Sequence, residues 1–353
     1  MTIVVELPVF NNESGGIMRQ TTLARKFSNL FVVEIPKYVE TSGGIQHMKQ
    51  LSMALSRGLK KKYQVQLRIQ TLNPNLDYSK VLPLPYTVGL PDQTFPASDV
   101  VITYSDNPYT EYLTNLPQVK KVLIYMLSYG MCFERERKNV FNPKLTVMSS
   151  TLKIKKAIEA EGGKCACVGF GSDSQNYFFR DKAIKRQRYA SLLYHYAPDK
   201  QYALGVEICN DLCNQGLIDG TIVFGTSSGF ENAKHPEKLI AKYVDANKDT
   251  IREIFNKCSI FIMPSISEGL NLTPIESTLC GCPSVICDGA FDDVFFDKKT
   301  CLIAEKKNKQ DILRKSKELL NNTEFATMFQ RNIEEVISNY TWEKTIENIE
   351  RLF

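Results

Sequence analysis

The sequence predicts an α/β protein built from doubly wound parallel sheets. Three observations point there. Short apolar runs alternate with amphipathic helical patterns along most of the chain. The runs are apolar on successive residues rather than on every second one, the pattern of a strand covered on both faces. The chain has 353 residues, enough for two domains of roughly 100–200 residues each.

Taken in order, IVVEL, LFVVEI and VQLRI read as strands, followed by DVVITY, KVLIYML and LTVMSS. YASLLYHY, GTIVFG, CSIFIMPS and PSVICD read as strands of a second sheet. Between them IQHMKQLSMALSRGL, TLKIKKAIEAEG and QDILRKSKELLNN have the 3.6-residue apolar period of surface helices. Repeated strand–helix–strand units put the strands parallel. The first sheet runs to about residue 165. A polar break at Gly171-Ser172-Asp173-Ser174 precedes the basic stretch RDKAIKRQR. The expected division is 1–170, 171–335 and 336–353. The chain from about Asn332 to Phe353 reads as helix, holds the single Trp and has no strand after it, so it packs back on the N-terminal domain.

Composition excludes several classes. An apolar fraction of 43% with 24% charged residues is that of a globular protein, not of a disordered, collagenous or coiled-coil chain. No run approaches the roughly 18 apolar residues of a membrane span. MTIVVELPVF has neither the basic nor the long apolar region of a signal peptide. Nine of the ten cysteines lie at or after residue 165, without metal-ligand spacing, so reduced thiols and a cytoplasmic location are expected. The net charge of +5 divides into +8 for residues 1–165 and −3 for the remainder. Lys60-Lys61-Lys62, Lys120-Lys121 and Lys153 to Lys156 fall in the basic half, where an anionic acceptor or an anionic membrane surface would approach. A charge this mild does not indicate nucleic acid.

Several segments could bind an anion. Ser14-Gly15-Gly16-Ile17 and Ser42-Gly43-Gly44-Ile45 each lie between a strand and a helix, where backbone N–H groups and the helix end favour negative charge. A Gly pair is equally the mark of a tight turn. Gly169-Phe170-Gly171 is only a fragment of a dinucleotide fingerprint, and residues 225–230, GTSSGF, read as a plain turn.

The richest segment is 264–288, PSISEGLNLTPIESTLCGCPSVICD. A strand ends at its start, and a helix opens at Thr273-Pro274 with Thr273 as N-cap and Pro274 at N1. Gly269, Leu270, Asn271 and Leu272 therefore lie at the carboxyl edge of a strand and the mouth of a helix, where open α/β sheets bind ligands. Their N–H groups suit a diphosphate, and Glu268 and Glu276 suit sugar and ribose hydroxyls. Thr273-x-x-Glu276 is also a capping box, in which the Glu would serve only the helix end.

SEGLNLTPIE resembles the Glu-x7-Glu signature of retaining glycosyltransferases of the GT-B fold, especially family four. ETSGGIQHMKQLSMALSRG, SDVVITYSDN, LTVMSSTLKIKKAIEAEG, VGFGSDSQNYF, KCSIFIMPS and YTWEKTIENIERLF resemble other family segments in the same order. The resemblance covers roughly residues 30–353. It implies two Rossmann-like domains facing a cleft, with the acceptor on the N-terminal domain and a nucleotide-diphosphate sugar on the C-terminal one. It implies that Glu276 binds the ribose, Glu268 contacts the transferred sugar, and Gly269 to Leu272 hold sugar and diphosphate. Gly43 and Gly44 would approach the phosphates, and Lys200 would neutralise the leaving phosphate. It implies no metal and no further cofactor, and a glycan, lipid or protein acceptor. The Arg that usually precedes the Lys is absent. Tyr196 and Ala197 occupy that region, and Arg188 or Lys185 could substitute. The N-domain His is absent too, and IYMLSYG supplies Leu127, Ser128 and Tyr129. His47 and His195 read as structural. Two alternatives use the same fold: an inactive homologue that binds nucleotide or glycan, and a nucleotide-sugar epimerase. A dehydrogenase would need a complete G-x-G-x-x-G, which is missing.

Overall fold

A computed structural model describes residues 2–6, 30–36, 43–59, 64–70, 86–89, 98–104, 110–127, 134–269, 271–289 and 293–352. The chain divides into two compact units, Met1–Gly171 with Trp342–Phe353, and Ser172–Thr341.

The first unit is built on one parallel sheet of eight strands. These are β1 (Thr2–Glu6), β2 (Leu30–Pro36), β3 (Gln64–Gln70), β4 (Tyr86–Gly89), β5 (Ser98–Tyr104), β6 (Val119–Met126), β7 (Leu145–Ser149) and β8 (Ala166–Cys167). Strands β5 to β8 are neighbours in sequence order, and β1 to β4 extend the sheet beyond β5. Its helices are α1 (Gly43–Leu59), α2 (Thr110–Asn115), α3 (Glu134–Val140) and α4 (Leu152–Ala160). Val122 to Met126 of β6 are buried without alternation, as expected for a strand covered on both faces.

The second unit holds β9 (Tyr189–Tyr194), β10 (Gly220–Gly225), β11 (Leu239–Val244), β12 (Ile260–Met263), β13 (Ser284–Cys287) and β14 (Leu302–Ala304). Its helices are α5 (Ser174–Tyr177), α6 (Tyr202–Asn214), α7 (Lys248–Lys257), α8 (Thr273–Leu279), α9 (Lys309–Asn321) and α10 (Glu324–Ile337). The strands are parallel, in the order β11-β10-β9-β12-β13-β14. Chain order therefore runs outward from β9 to β11, crosses through α7, and runs outward again from β12. The order reverses at the carboxyl ends of β9 and β12, the place where open α/β sheets bind ligands. Leu192, Val206, Leu212, Ile262, Val285 and Phe329 are among the residues that close the core beneath it.

Every run read as a strand forms one. Four further strands lie outside the runs named above, the two-residue β8 among them. Strand β4 has four residues and β14 three. Strand β11 is an edge strand with Leu239, Ile240 and Val244 exposed, so it lacks a buried pattern. The helix expected from about Asn332 is broken. Helix α10 stops at Ile337, and α11 (Trp342–Glu350) follows after Ser338–Thr341. In that break Tyr340 uses its carbonyl to accept a bond from Ser172 N–H at 3.1 Å instead of continuing the helix. Helix α11 buries Trp342, Thr345, Ile346 and Ile349, one stripe of a 3.6-residue period, and packs against α1. Trp342 lies flat on Gly171, where an added Cβ would stand 2.0 Å from the indole.

Candidate active site

The site begins where β9 and β12 end. Beyond β9 the chain makes a single 3-10 turn, Pro198–Lys200, and enters α6 through Gln201 in the left-handed region, at φ 51°. Beyond β12 it runs through Pro264 to Leu272 into α8. Ile266 N–H donates to Asp199 O at 2.9 Å and ties the two loops together. Across this junction Lys200 Nζ donates to Glu268 Oε2 at 2.5 Å, with the side chains 18% and 6% exposed. Glu268 Oε1, Ser265 Oγ and Asp199 Oδ2 are buried there without a hydrogen-bond partner. Burying a polar atom unpaired costs free energy, so such atoms need a reason. Oxygens left open on two touching loops suit a polar ligand that brings its own donors.

Glu276 lies one turn into α8. The sequence placed Thr273 at the N-cap, and the structure corrects this. Leu272 is the cap residue and Thr273 the first helical one. The capping box is not formed. Asn271 Oδ1 accepts the Thr273 N–H at 2.9 Å, the amide that Glu276 would have reached back to. Ser174 of α5, which packs on α8, instead favours the ionised form of the Glu276 carboxyl. Ser174 in turn accepts from the Ser172 hydroxyl at 2.9 Å. Burial pushes the Glu276 carboxyl up to about 7, against the opposing pull of Lys248 and Ser174. Ser172, Ser174 and Lys248 were not named from the sequence as site residues. The one signal was the polar break at 171–174, read as a domain boundary.

Lys200, Glu268, Gly269, Asn271, Leu272 and Glu276 thus belong to one strand-edge region of the second unit. Leu270 lies outside the described residues. Gly43 and Gly44 are the first two residues of α1, in the first unit. The Ser14–Ile17 segment, Ser128 and Tyr129 lie outside the described residues. Neither Arg188 nor Lys185 can assist Lys200, because both precede β9 at its amino edge. Arg188 faces Asp219 at 3.4 Å, and the neighbouring Arg186 donates to Cys258 O at 2.6 Å. His195 does lie on the carboxyl edge, half-buried, with Nδ1 accepting the Ala197 N–H at 3.0 Å. Burial, then the Lys200 charge, lowers its pKa, which favours the neutral ring with its proton on Nε2.

The remaining candidates have other roles. Ser228 O accepts the Tyr194 hydroxyl at 3.0 Å, and Phe230 is fully buried, so residues 225–230 close as a turn. Phe170 is buried and Gly171 is covered by Trp342, which leaves Gly169–Gly171 no anion to meet. His47 is a core residue, with Nε2 3.3 Å from the Tyr125 hydroxyl. Of the basic clusters, Lys60 to Lys62 lie outside the described residues. Lys121 donates to Leu352 O, Lys155 pairs with Glu159, and Lys153 and Lys156 are exposed.

Residues 235–336 match the family model for glycosyl transferases group 1. A glycosyltransferase of uncharacterised function from Methanocaldococcus jannaschii is 29% identical over 123 residues, 35% of this chain and 34% of the relative. The chain thus matches about a third of that relative's length. Among solved structures, Anabaena HepE with UDP and glucose has a TM-score of 0.69 at 12% identity, covering 91% of this chain and 98% of that one. S. aureus TarM with fondaparinux, α-GlcNAc-glycerol and UDP has a TM-score of 0.58 at 16% identity, covering 71% and 55%. At these identities the structures speak to fold. The architecture is GT-B, and residues 235–336 are similar to the group 1 glycosyl transferases.

Proposed function

We propose that this chain transfers a sugar from a nucleotide-diphosphate sugar to an acceptor hydroxyl, with retention at the anomeric carbon. The carrying observation is the meeting of Lys200 and Glu268 at the strand-order reversal, with Glu276 at the mouth of the next helix. Glu276 receives the ribose hydroxyls, and Glu268 receives hydroxyls of the transferred sugar through the oxygen now unpartnered. Lys200 and the N–H groups of Gly269, Asn271 and Leu272 hold the diphosphate. HepE is bound to UDP and glucose and TarM to UDP and α-GlcNAc-glycerol, which supports a nucleotide-sugar donor and a glycan acceptor.

In the reaction, the bond from the anomeric carbon to the phosphate oxygen breaks as the bond to the acceptor oxygen forms on the same face. The acceptor proton passes to the leaving diphosphate. Charge builds on that diphosphate, and Lys200, already fixed by its neighbours, is placed to stabilise it. The protein contributes orientation and electrostatics, and we assign the charge stabilisation to Lys200 and the backbone rather than to a metal. The described cysteines other than Cys167 are buried thiols outside any disulfide, in keeping with a cytoplasmic setting. Among the described residues no helix is long and apolar enough to cross a membrane. We assign contact with an anionic membrane surface to exposed lysines such as Lys153 and Lys156.

The test is nucleoside diphosphate release from UDP-, GDP-, ADP- and dTDP-linked sugars with a panel of hydroxyl acceptors, followed by NMR of the product. Release dependent on acceptor, with the donor's anomeric configuration kept, is expected. An inverted product overturns retention, and no release with any donor overturns transferase activity.

A further inference from the structure

The Lys200–Glu268 pair has a consequence beyond its two assigned contacts. An anion bound at Lys200 must share the ammonium with a carboxylate or displace it. In the structure that ammonium is already taken, by Glu268 Oε2 at 2.5 Å. Glu268 is 6% exposed and cannot turn freely into water. Its second oxygen is buried without a partner. Glu268 thus holds the lysine with one oxygen while the other has nothing to accept.

A nucleotide sugar and a free nucleoside diphosphate would meet this arrangement differently. The sugar brings hydroxyl donors to Glu268 and so compensates it for the lysine it gives up. The free diphosphate brings none. It also carries about one more negative charge near pH 7, because the terminal oxygen that the sugar had esterified now ionises. A like charge at a largely desolvated carboxylate is costly.

We propose that Glu268 is a resident counter-anion that discriminates against the spent nucleoside diphosphate. It occupies Lys200 when no sugar is bound, yields it to the donor, and reclaims it when the sugar has left, so that product is released. This rests on the donor reading of the site and adds to it a specificity role for the charge of Glu268.

The experiment is calorimetric titration of the whole chain with UDP, GDP, ADP and dTDP and with their glucose-linked forms. Wild type is compared with Glu268→Gln, Glu268→Asp and Lys200→Gln, with thermal unfolding of each as a check on folding. In Glu268→Gln the free diphosphate is expected to bind about tenfold more tightly, a change of about 1.4 kcal/mol, and the sugar-linked form more weakly. The opposite directions matter, since a merely structural role would weaken both. Glu268→Asp, which keeps the charge but draws it back, should show a smaller gain and keeps the test open should Glu268→Gln unfold. Lys200→Gln should weaken both ligands. Unchanged or weaker diphosphate binding in a folded Glu268 variant, beside a wild type that binds, overturns the proposal alone. No binding of any ligand by wild type or variant overturns the donor reading and the proposal with it.

Discussion

Lys200 and Glu268 form an ion pair between the loops that leave the carboxyl ends of β9 and β12, where the strand order of the second sheet reverses. The two residues are 68 positions apart and come from different loops. The sheet brings them together because β9 and β12 are parallel neighbours, so both loops leave from the same edge. If Lys200 stabilises the leaving diphosphate, Lys200→Met should lower kcat by about 10²–10³. A smaller effect on KM is expected, because the charge it meets grows toward the transition state. Steady-state kinetics with the best donor would show it, and a variant that changed only KM would count against this role.

Glu276 should make stability depend on pH. Its carboxyl titrates near 7 in the folded chain and near 4.5 when unfolded. Between these values the folded chain binds the extra proton, so the contribution of Glu276 falls as pH rises from about 4.5 through 7. Glu276→Gln should therefore raise stability at pH 8 by about 3 kcal/mol, and with it Tm, and leave both nearly unchanged at pH 4. Thermal melts across that range would check the sign. Equal shifts at both ends would mean that the carboxyl is not perturbed in the fold.

His47 should act in the opposite sense. Burial holds its ring neutral down to about 4, against 6.5 for the free side chain. Stability is therefore unaffected above about pH 6.5 and declines as pH drops toward 4, by up to about 3 kcal/mol. His47→Gln can still donate to Tyr125 and does not titrate. Its urea midpoint should vary less between pH 7 and pH 4.5 than that of wild type.

Gly171 tests the docking of the terminal helix within the first unit. A Cβ there would overlap the Trp342 indole, 2.0 Å away. Gly171→Ala should cost about 3 kcal/mol or more, at the upper end of overpacking effects. Circular dichroism during denaturant unfolding would measure it. Trp342→Leu in the same chain should recover part of the loss by making room.

Much of the second sheet was legible because its strands are buried on both faces and leave unbroken apolar runs. GTIVFG and PSVICD are such cases, and both form strands. Edge strand β11 was missed for the same physical reason, since LIAKYV is largely exposed. The site was legible only in part. The spacing of Glu268 and Glu276 can be read along the chain, and Lys200 by its resemblance. The influence of Ser174 on Glu276 spans 102 residues and has no local signal. Thr273 illustrates a local rule overridden by its neighbour, because Asn271 one turn-step earlier took the amide that the capping box needed. Arg188 was a reasonable cation by composition, but the direction of β9 puts it at the wrong end of the strand.

The most direct test of the donor site is a thermal-shift panel of UDP-, GDP-, ADP- and dTDP-linked sugars on wild type and Glu276→Ala, because a ligand that binds the native state raises its melting point. The arrangement of Lys200, Glu268 and Glu276 predicts that at least one donor raises the Tm of wild type, and that Glu276→Ala unfolds cooperatively yet shows no such rise. A panel that leaves wild type unmoved, or an equal rise in the variant, would contradict it.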